Sequence, residues 1–459
     1  MTAASARHAS GRQYGHRVVR LARNAASPLH RLRADHFIRN ALFLFLSVMS
    51  AGLFGFAFWL ICAHLFSSAD IGRAATLIAA ASVIAYTSDL GLSSTLIRVL
   101  PTAPDPNAEI NSALIVTGIL SLLIAGAYVA AIPLIAPKLG FLRSHPLEIA
   151  AFVLLTACGA ANLLTDSVFI AFRQTQYNFL VDGLLLGVTK LVSIAAVLGL
   201  GAFGIFTASG MGLAVALGSS LILMVWRVEY RPKPAIDFAV LLRSVRFSAA
   251  NYVSSVFQLL PLLCLPILIL SRLGPASAGY FYIAFSLANL AYAVSFSLST
   301  SLFAEGSQHS AKPVELARRT AKLLIPINAV IVAVLVVGSH WLLLLYGIAY
   351  SRHATGTLVV LMLALPAVSI NNVGQILLKL SGQVAAIVVV NMISLVVVIG
   401  LAVLTVSDGL VWVAQAWLIG NLVAGCVAVL SWRPNKVAGP STGDRLQEDA
   451  VLRPGSIAP

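Results

Sequence analysis

Residues 39–66 read RNALFLFLSVMSAGLFGFAFWLICAHLF, and after Arg39 this stretch contains no Asp, Glu, Lys or Arg. An α-helix rises about 1.5 Å per residue, so about 20 apolar residues cross the roughly 30 Å hydrocarbon core of a bilayer. The stretch therefore predicts a transmembrane helix. It is too long for the apolar region of a cleavable signal peptide, so we expect it to be retained.

The rest of the chain repeats this pattern. Of its 459 residues, 59% are hydrophobic and only 10% are charged, and the mean hydropathy of +0.93 is far from that of soluble domains. We predict an all-α integral membrane protein with twelve transmembrane helices, because the connecting segments are too short to fold separately. The predicted spans are 39–66, 73–98, 110–136, 147–172, 178–200, 204–226, 247–271, 278–304, 321–346, 355–378, 383–406 and 410–432.

Lys and Arg are distributed unequally between the two sides of the membrane. Twenty-four lie in the tails and loops on the side of the termini, whereas five lie in the opposite loops. Positive charge in short loops is retained in the cytoplasm, so both termini are predicted to be cytoplasmic. The net charge of +14 follows from this bias, and no nucleic-acid partner is predicted.

The longest basic loop separates the first six predicted spans from the last six. Within it, AIDFAVLLRSVRF (235–247) has the pattern of an amphipathic helix at the membrane interface. Near the N-terminus, HRVVRLAR (16–23) fits either a helix on anionic headgroups or a disordered stop signal. We predict a basic cytoplasmic tail at 1–38, an N-lobe at 39–226, a cytoplasmic linker at 227–246, a C-lobe at 247–432 and a disordered cytoplasmic tail at 433–459.

Two stretches of the chain resemble each other. SSADIGRAATLIAAASVIAYTSDLGLSSTLI (67–97) can be laid over GPASAGYFYIAFSLANLAYAVSFSLSTSLF (274–303) with a shift of 207 residues, so that Gly72 meets Gly279. Nearly the same shift brings Arg173 close to Lys379. Repeated halves are how many transporters are built, with the substrate path between the halves.

The ends of the spans resemble those of a known family. SSADIG follows the first span, DLGLSSTLIR closes the second, and Arg173 ends the fourth before a short turn. Together with the six-plus-six topology, these features resemble the polysaccharide transporter family of the multidrug/oligosaccharidyl-lipid/polysaccharide exporter superfamily, which includes the O-antigen flippases. The resemblance covers roughly residues 37–432.

This resemblance implies both a fold and a function. The fold would be two six-helix lobes around a central cavity, in a bacterial inner membrane. The function would be the transfer of polyprenyl-pyrophosphate-linked oligosaccharide to the outer leaflet by alternating access, for O-antigen, lipopolysaccharide or other surface polysaccharide. Membrane lipids, a polysaccharide polymerase and glycosyltransferases would be the partners. A cation-coupled drug exporter of the same superfamily, or a scaffold for an assembly complex, stays open.

Ionisable residues at membrane depth are candidate functional residues, because they require a partner or a water-filled cavity. Asp89 is spaced to share a helical stripe with Ser82, Tyr86 and Ser93. We predict that acids of the N-lobe meet basic residues of the C-lobe as a cytoplasmic gate, or else pair locally, as Asp166 with Arg173. The candidate gate or coupling residues are Asp89, Arg98, Asp166, Arg173, Asp182 and Lys379.

Lys190 is the basic residue deepest in a span. It is predicted either to attract the pyrophosphate of a lipid-linked sugar or to neutralise an acid such as Asp182. Amides on the C-lobe spans suit sugar hydroxyls, although such groups also hold helices together. The candidate substrate-binding residues are Lys190, Asn251, Gln258, Asn289, Asn371 and Gln375.

An enzyme would need a reactive constellation. The sequence has no GxxxxGK[ST], HExxH or GxSxG motif, and the longest external loop, at 137–148, is too short for a glycan polymerase. The four cysteines show no CxxC or Cys/His spacing and are predicted to be small core residues. We therefore predict a protein that is not an enzyme and that uses no metal or cofactor.

Overall fold

The computed structural model describes residues 36–233, 236–308 and 313–433. Every regular element in these ranges is helical, and twelve helices are long and apolar enough to cross a membrane. The predicted all-α class and the number of spans are thereby confirmed. The predictions for the tails, including HRVVRLAR, fall outside the described residues.

The spans are numbered in chain order. A short helix, Leu92–Val99, follows span 2, and short 3₁₀ turns lie at Leu100–Thr102, Pro137–Arg143, Leu198–Leu200 and Val406–Asp408. Spans 1 to 12 are His36–Leu65, Ser68–Asp89, Pro106–Ile135, Pro146–Ala171, Gln176–Asn178 continued by Phe179–Leu185 and Leu186–Ala196, Gly201–Arg227, Phe238–Leu273, Pro275–Gln308, Pro313–Leu344, Ile348–Leu363 joined to Leu365–Leu380, Val384–Thr405, and Leu410–Ser431.

Local sequence signals explain where several spans begin. The Ser67 hydroxyl accepts a hydrogen bond from the Asp70 backbone N–H at 3.1 Å and caps span 2. Asp105 caps span 3 in the same way, and Pro106 occupies the first helical position, where the missing N–H removes no helical bond.

The connection between spans 6 and 7 is held against the start of span 3. The Tyr230 hydroxyl donates to Asn111 Oδ1 at 2.6 Å, and the Lys233 backbone N–H donates to the same oxygen at 3.0 Å. Burial raises the pKa of Tyr230, so its hydroxyl stays protonated and keeps donating. Most of the predicted amphipathic segment 235–247 is helical, and its helix starts at Phe238 and continues without a break into span 7.

Spans 2 and 8 touch backbone to backbone at the ends where both begin. A Cβ added to Gly72 would lie 1.9 Å from the Pro275 carbonyl oxygen and 2.6 Å from the Gly279 nitrogen. A Cβ on Gly279 would lie 2.2 Å from the Ser68 carbonyl oxygen. These two glycines are the pair that the internal repeat aligned, so equivalent residues of the two repeats contact each other. We call this contact the closed end.

Aromatic residues extend the closed end to span 10. The Tyr280 and His353 rings stack with centroids 4.9 Å apart, and the Ser68 hydroxyl donates to the Tyr280 hydroxyl at 3.4 Å. Tyr350 meets the edge of Tyr280 at 5.3 Å. Spans 2, 8 and 10 therefore close one end of the molecule with little space between them.

Candidate functional site

Asp89 ends a helix and does not lie within one. Leu90 and Gly91 adopt left-handed φ values of 51° and 77°, so the predicted helix over 73–98 is interrupted after Asp89. The carboxylate accepts hydrogen bonds from the backbone N–H groups of Gly91 and Ser93, both at 3.1 Å. It also accepts one from the Ser93 hydroxyl at 2.5 Å. The carboxylate thus accepts one free N–H of the Leu92–Val99 helix, that of Ser93, and the N–H of Gly91 just before the helix.

A cavity of ≈ 580 Å³ lies beside this helix break. Its lining comes from spans 2 and 4 and the Leu92–Val99 helix of the N-terminal half, and from spans 7, 8, 10, 11 and 12 of the C-terminal half. Seventeen residues separate Asp89 from Gly72, which is about 25 Å along a helix axis. The cavity therefore lies toward the opposite end of the molecule from the closed end.

The part of the lining from the C-terminal half is rich in amides. Gln375 Nε2 donates to Asn371 Oδ1 at 3.1 Å, and Asn371 Nδ2 donates to Asn421 Oδ1 at 3.2 Å. Asn391 Nδ2 donates to the Ser254 hydroxyl at 2.9 Å. This surface, which we call the amide wall, is made of Gln258, Asn289, Asn371, Asn372, Gln375, Asn391 and Asn421.

The part from the N-terminal half carries the carboxyl groups. Asp89 and Asp166 line this part of the cavity. Tyr86 also lines it and interacts electrostatically with both carboxyl groups. These three residues are called the acidic wall. The Asp166 carboxyl contacts that of Asp182 in span 5, and Asp182 accepts a hydrogen bond from Asn162 Nδ2 at 2.9 Å.

Asp166 differs from Asp89 in how its oxygens are used. Both oxygens of Asp89 accept hydrogen bonds, whereas Asp166 Oδ1 is buried and has no hydrogen-bond partner in the described structure. A buried polar atom without a partner is unfavourable. Asp182 enters the site from Phe179–Leu185, a π-helical segment, and such segments occur frequently at functional sites.

Some of the predicted site residues line the cavity and others do not. Gln258, Asn289, Asn371 and Gln375 line the cavity, as do Asp89 and Asp166. Asp182 lies behind Asp166. Lys190, Arg98, Arg173 and Lys379 do not line it, and the side chain of Asn251 falls outside the described residues. The roles assigned to all these residues stay predictions.

The hypothesis of a gate closed by ion pairs is not tested by this arrangement. The ion pairs given by the described side chains, Asp70 with Arg73 at 3.6 Å and Glu315 with Arg319 at 2.9 Å, are local. The alternative pair, Asp166 with Arg173, does not form in the described structure, since Arg173 is exposed in a left-handed turn after span 4.

Lys190 packs between helices of the N-terminal half. Its Nζ lies 4.1 Å from the centroid of the Phe58 ring, a distance at which an ammonium group is attracted by an aromatic face. One turn earlier, a Cβ on Gly187 would lie 2.4 Å from the Phe54 side chain. Spans 1 and 5 are therefore in close contact here, and Lys190 contacts this interface.

Replacement of Lys190 by Met is expected to leave transport near the wild-type level. Methionine keeps the length of the stem that packs on Phe58, and it removes a charge that lies outside the cavity. The measurement is the leaflet assay described below, with Val188→Met, an exposed position of the same helix, as the matched control. A loss of transport at normal protein abundance would indicate that Lys190 acts on the substrate.

Several lining residues were not among the predicted sites. Tyr252, Tyr292 and Trp417 line the cavity, yet aromatic residues in apolar spans do not stand out in a sequence. Asn391 and Asn421 could have been found, because each is an isolated amide in a long apolar span. The Tyr252 hydroxyl donates to the Thr87 carbonyl at 2.8 Å and so joins the two halves beside the cavity.

A metal centre finds no support in the described side chains. They hold no group of three His, Cys, Asp or Glu residues that could bind a metal ion, and the four cysteines are free. Cys62 is buried as predicted, and Cys158 and Cys264 are half-buried. Cys426 is exposed, so the predicted core position is wrong for that residue.

Comparison with known proteins relates the chain to one sequence family. Residues 61–352 match the model of a family described as "Polysaccharide biosynthesis protein". No curated protein matches the chain. The matched range includes both glycines of the closed end and both carboxyl groups of the cavity.

Solved structures share the fold over most of the chain. An inward-facing multidrug resistance MATE family transporter of the MOP superfamily has a TM-score of 0.67 at 16% identity, over 90% of this chain and 98% of that chain. Lipid II flippase MurJ in an inward closed conformation has a TM-score of 0.68 at 14% identity, over 85% and 87%. A MOP superfamily transporter from Pyrococcus furiosus has a TM-score of 0.58 at 15% identity, over 91% and 96%. Identities this low show the fold alone.

Proposed function

The chain belongs to the family described as "Polysaccharide biosynthesis protein", and from this premise we propose that it moves polyprenyl-pyrophosphate-linked oligosaccharide from the cytoplasmic to the outer leaflet of a bacterial inner membrane. The product would be used for surface polysaccharide such as O-antigen or lipopolysaccharide. The observation that carries the proposal is the cavity between the two halves, whose amide wall offers donors and acceptors to sugar hydroxyls. The likeness in fold to lipid II flippase MurJ supports it.

The proposed cycle is alternating access between two six-helix lobes, divided as the sequence suggests at residues 227–246. From the positive charge on the side of the termini, we expect the cavity to lie toward the cytoplasm and the closed end toward the outside. The conformation described here would then face inward. Rocking of the halves would separate Gly72 from Gly279 and close the cavity, so that the sugar would be exposed on the other side.

The experiment that tests this function uses a strain that lacks the gene. We expect polyprenyl-pyrophosphate-linked oligosaccharide to accumulate on the cytoplasmic leaflet while surface polysaccharide is lost. Wild-type protein restores both, whereas Ser255→Trp, which places a large side chain in the cavity lining, restores neither. Val253→Trp on the exposed surface of the same helix should restore both. Unchanged pools in the deletion strain would contradict the proposal.

A second candidate function is export of a small cationic molecule. The two carboxyl groups of the acidic wall favour it, because a cavity with negative charge attracts cations. Sensitivity of the deletion strain to cationic compounds, with normal glycan pools, would support this alternative. A glycan defect without altered sensitivity would support the flippase.

A further inference from the structure

The cavity has a polarity that restricts its substrate. Its described lining contains two carboxyl groups and seven amides, and none of the lining residues is Lys, Arg or His. The carboxyl groups lie in spans 2 and 4, and the amides lie on the facing helices of the other half. A substrate in this space therefore meets negative charge on one side and neutral hydrogen-bonding groups on the other.

Asp166 is the carboxyl group of the cavity that is not held by the helix break. Asp89 accepts hydrogen bonds from Gly91 and Ser93, whereas the Asp166 carboxyl group lines the cavity and contacts that of Asp182. A buried carboxylate is stabilised by a cation that donates hydrogen bonds to it. No described lining residue supplies such a cation, and an amino group on the substrate would do so.

The amide wall suits the neutral, hydrogen-bonding parts of a substrate. Amide groups donate and accept hydrogen bonds, as hydroxyl and acetamido groups of sugars do. Phosphate or a uronate carboxylate placed in the same space would face Asp166 and Asp89 at short range without a cation to compensate, and like charges repel strongly in a cavity of low dielectric constant. The pyrophosphate of the lipid carrier must therefore lie outside the cavity.

We propose that the cavity binds an oligosaccharide that carries a free amino group, with the ammonium group at Asp166, and that it rejects glycans with acidic sugars at that position. This inference rests on the proposed function, and it adds the chemical class of the sugar. The ammonium group donates to the Asp166 carboxylate, while the hydroxyl groups of the neighbouring sugars contact Asn371, Gln375 and Asn289.

The test is titration calorimetry of the purified full-length protein with three trisaccharides of equal size. These are the trimers of glucosamine, of N-acetylglucosamine and of galacturonic acid, which carry amino, neutral and carboxylate groups. We expect the glucosamine trimer to bind at least about tenfold more tightly than the N-acetylated trimer, in line with one charge-assisted hydrogen bond. We expect no measurable binding of the galacturonate trimer.

Variants assign the preference to Asp166. Asp166→Asn should abolish the preference, so that the glucosamine and N-acetylglucosamine trimers bind this variant equally, whereas Asp166→Glu, which keeps the charge, should retain the preference. Asp70→Asn at the closed end, where the carboxylate pairs with Arg73, is the control for charge removed elsewhere. The unfolding transition of each purified variant in detergent reports its folding.

Three results would overturn the inference. They are equal affinity for the amine and its acetylated form, tighter binding of the galacturonate trimer, and no binding of any trimer at millimolar concentration. The outcome is separable from that of the leaflet assay. A clear amine preference in a protein whose deletion leaves glycan pools unchanged would uphold the site and reject the flippase, whereas a glycan defect without amine preference would do the reverse.

Discussion

Replacement of Gly72 by leucine is expected to abolish transport. The new Cβ would lie 1.9 Å from the Pro275 carbonyl oxygen and 2.6 Å from the Gly279 nitrogen, and both are backbone atoms that cannot turn aside. Overpacking a tight contact costs about 1–3 kcal/mol or more, and here the closed end is the part of the molecule that must separate. The closed conformation would be lost, and we expect leaflet transfer to fall to the level of the deletion strain.

Thiol labelling measures the closed end directly. In a background without the four native cysteines, Ser68→Cys should react slowly with a membrane-impermeant reagent added from outside, and adding Gly72→Leu should make it react fast. Gly126→Leu is the matched control, since a Cβ at Gly126 meets no atom within 4 Å. Normal transport by the Gly72→Leu variant would show that this contact is not needed for function.

Replacement of Asp89 by alanine is expected to produce the second large effect, on stability. Three hydrogen bonds from Gly91 and Ser93 would lose their acceptor, and loss of a helix cap together with buried charge-assisted bonds costs about 2–4 kcal/mol. The measurement is the unfolding transition of purified Asp89→Ala in detergent, together with its abundance in the membrane. We expect a clear fall in both.

Asparagine at the same position separates structure from charge. Asn can keep one oxygen for the Ser93 N–H and hydroxyl group but loses the bond from the Gly91 N–H, so the stability of Asp89→Asn should lie between those of the wild type and Asp89→Ala. If Asp89→Asn were as inactive as the alanine variant while it folded normally, the charge itself would be required, and the hypothesis of an ionic gate would gain support.

The structure changes how the buried carboxyl groups are interpreted. The sequence spacing predicts that Asp89 lies on one face of a continuous helix with Ser82, Tyr86 and Ser93. The contact with Ser93 exists, but it arises because the helix stops after Asp89 and a new one starts at Leu92. The sequence indicates Arg173 as a local partner for Asp166. In the structure, Asp166 instead contacts Asp182 and lines the cavity.

The internal repeat illustrates how far sequence comparison reached. Laying 67–97 over 274–303 paired Gly72 with Gly279, although identity between the stretches is low. The alignment of the two stretches does not indicate that Gly72 and Gly279 are in contact. The contact requires that both residues lack a side chain and that spans 2 and 8 begin at the same end, and only the packed helices show both.

The sequence by itself determined the twelve spans and six of the nine carboxyl and amide residues that line the cavity. In hydrocarbon every peptide group must find its partner within its own helix, so helix length and position follow from local hydropathy. The amides at Asn371 and Gln375 stand out for the same reason, because a polar group in an apolar span is a departure from a simple rule.

The tertiary structure alone decided which of these groups meet. The arrangement of carboxyl groups opposite amides depends on how helices far apart in the chain pack, and no local rule specifies that packing. Lys190 and Asp166 look alike in sequence, as single charges in apolar spans. Packing places one against Phe58 and the other at the cavity wall, because side-chain contacts within a bundle are set by the shapes of neighbouring helices and not by the segment that carries the charge.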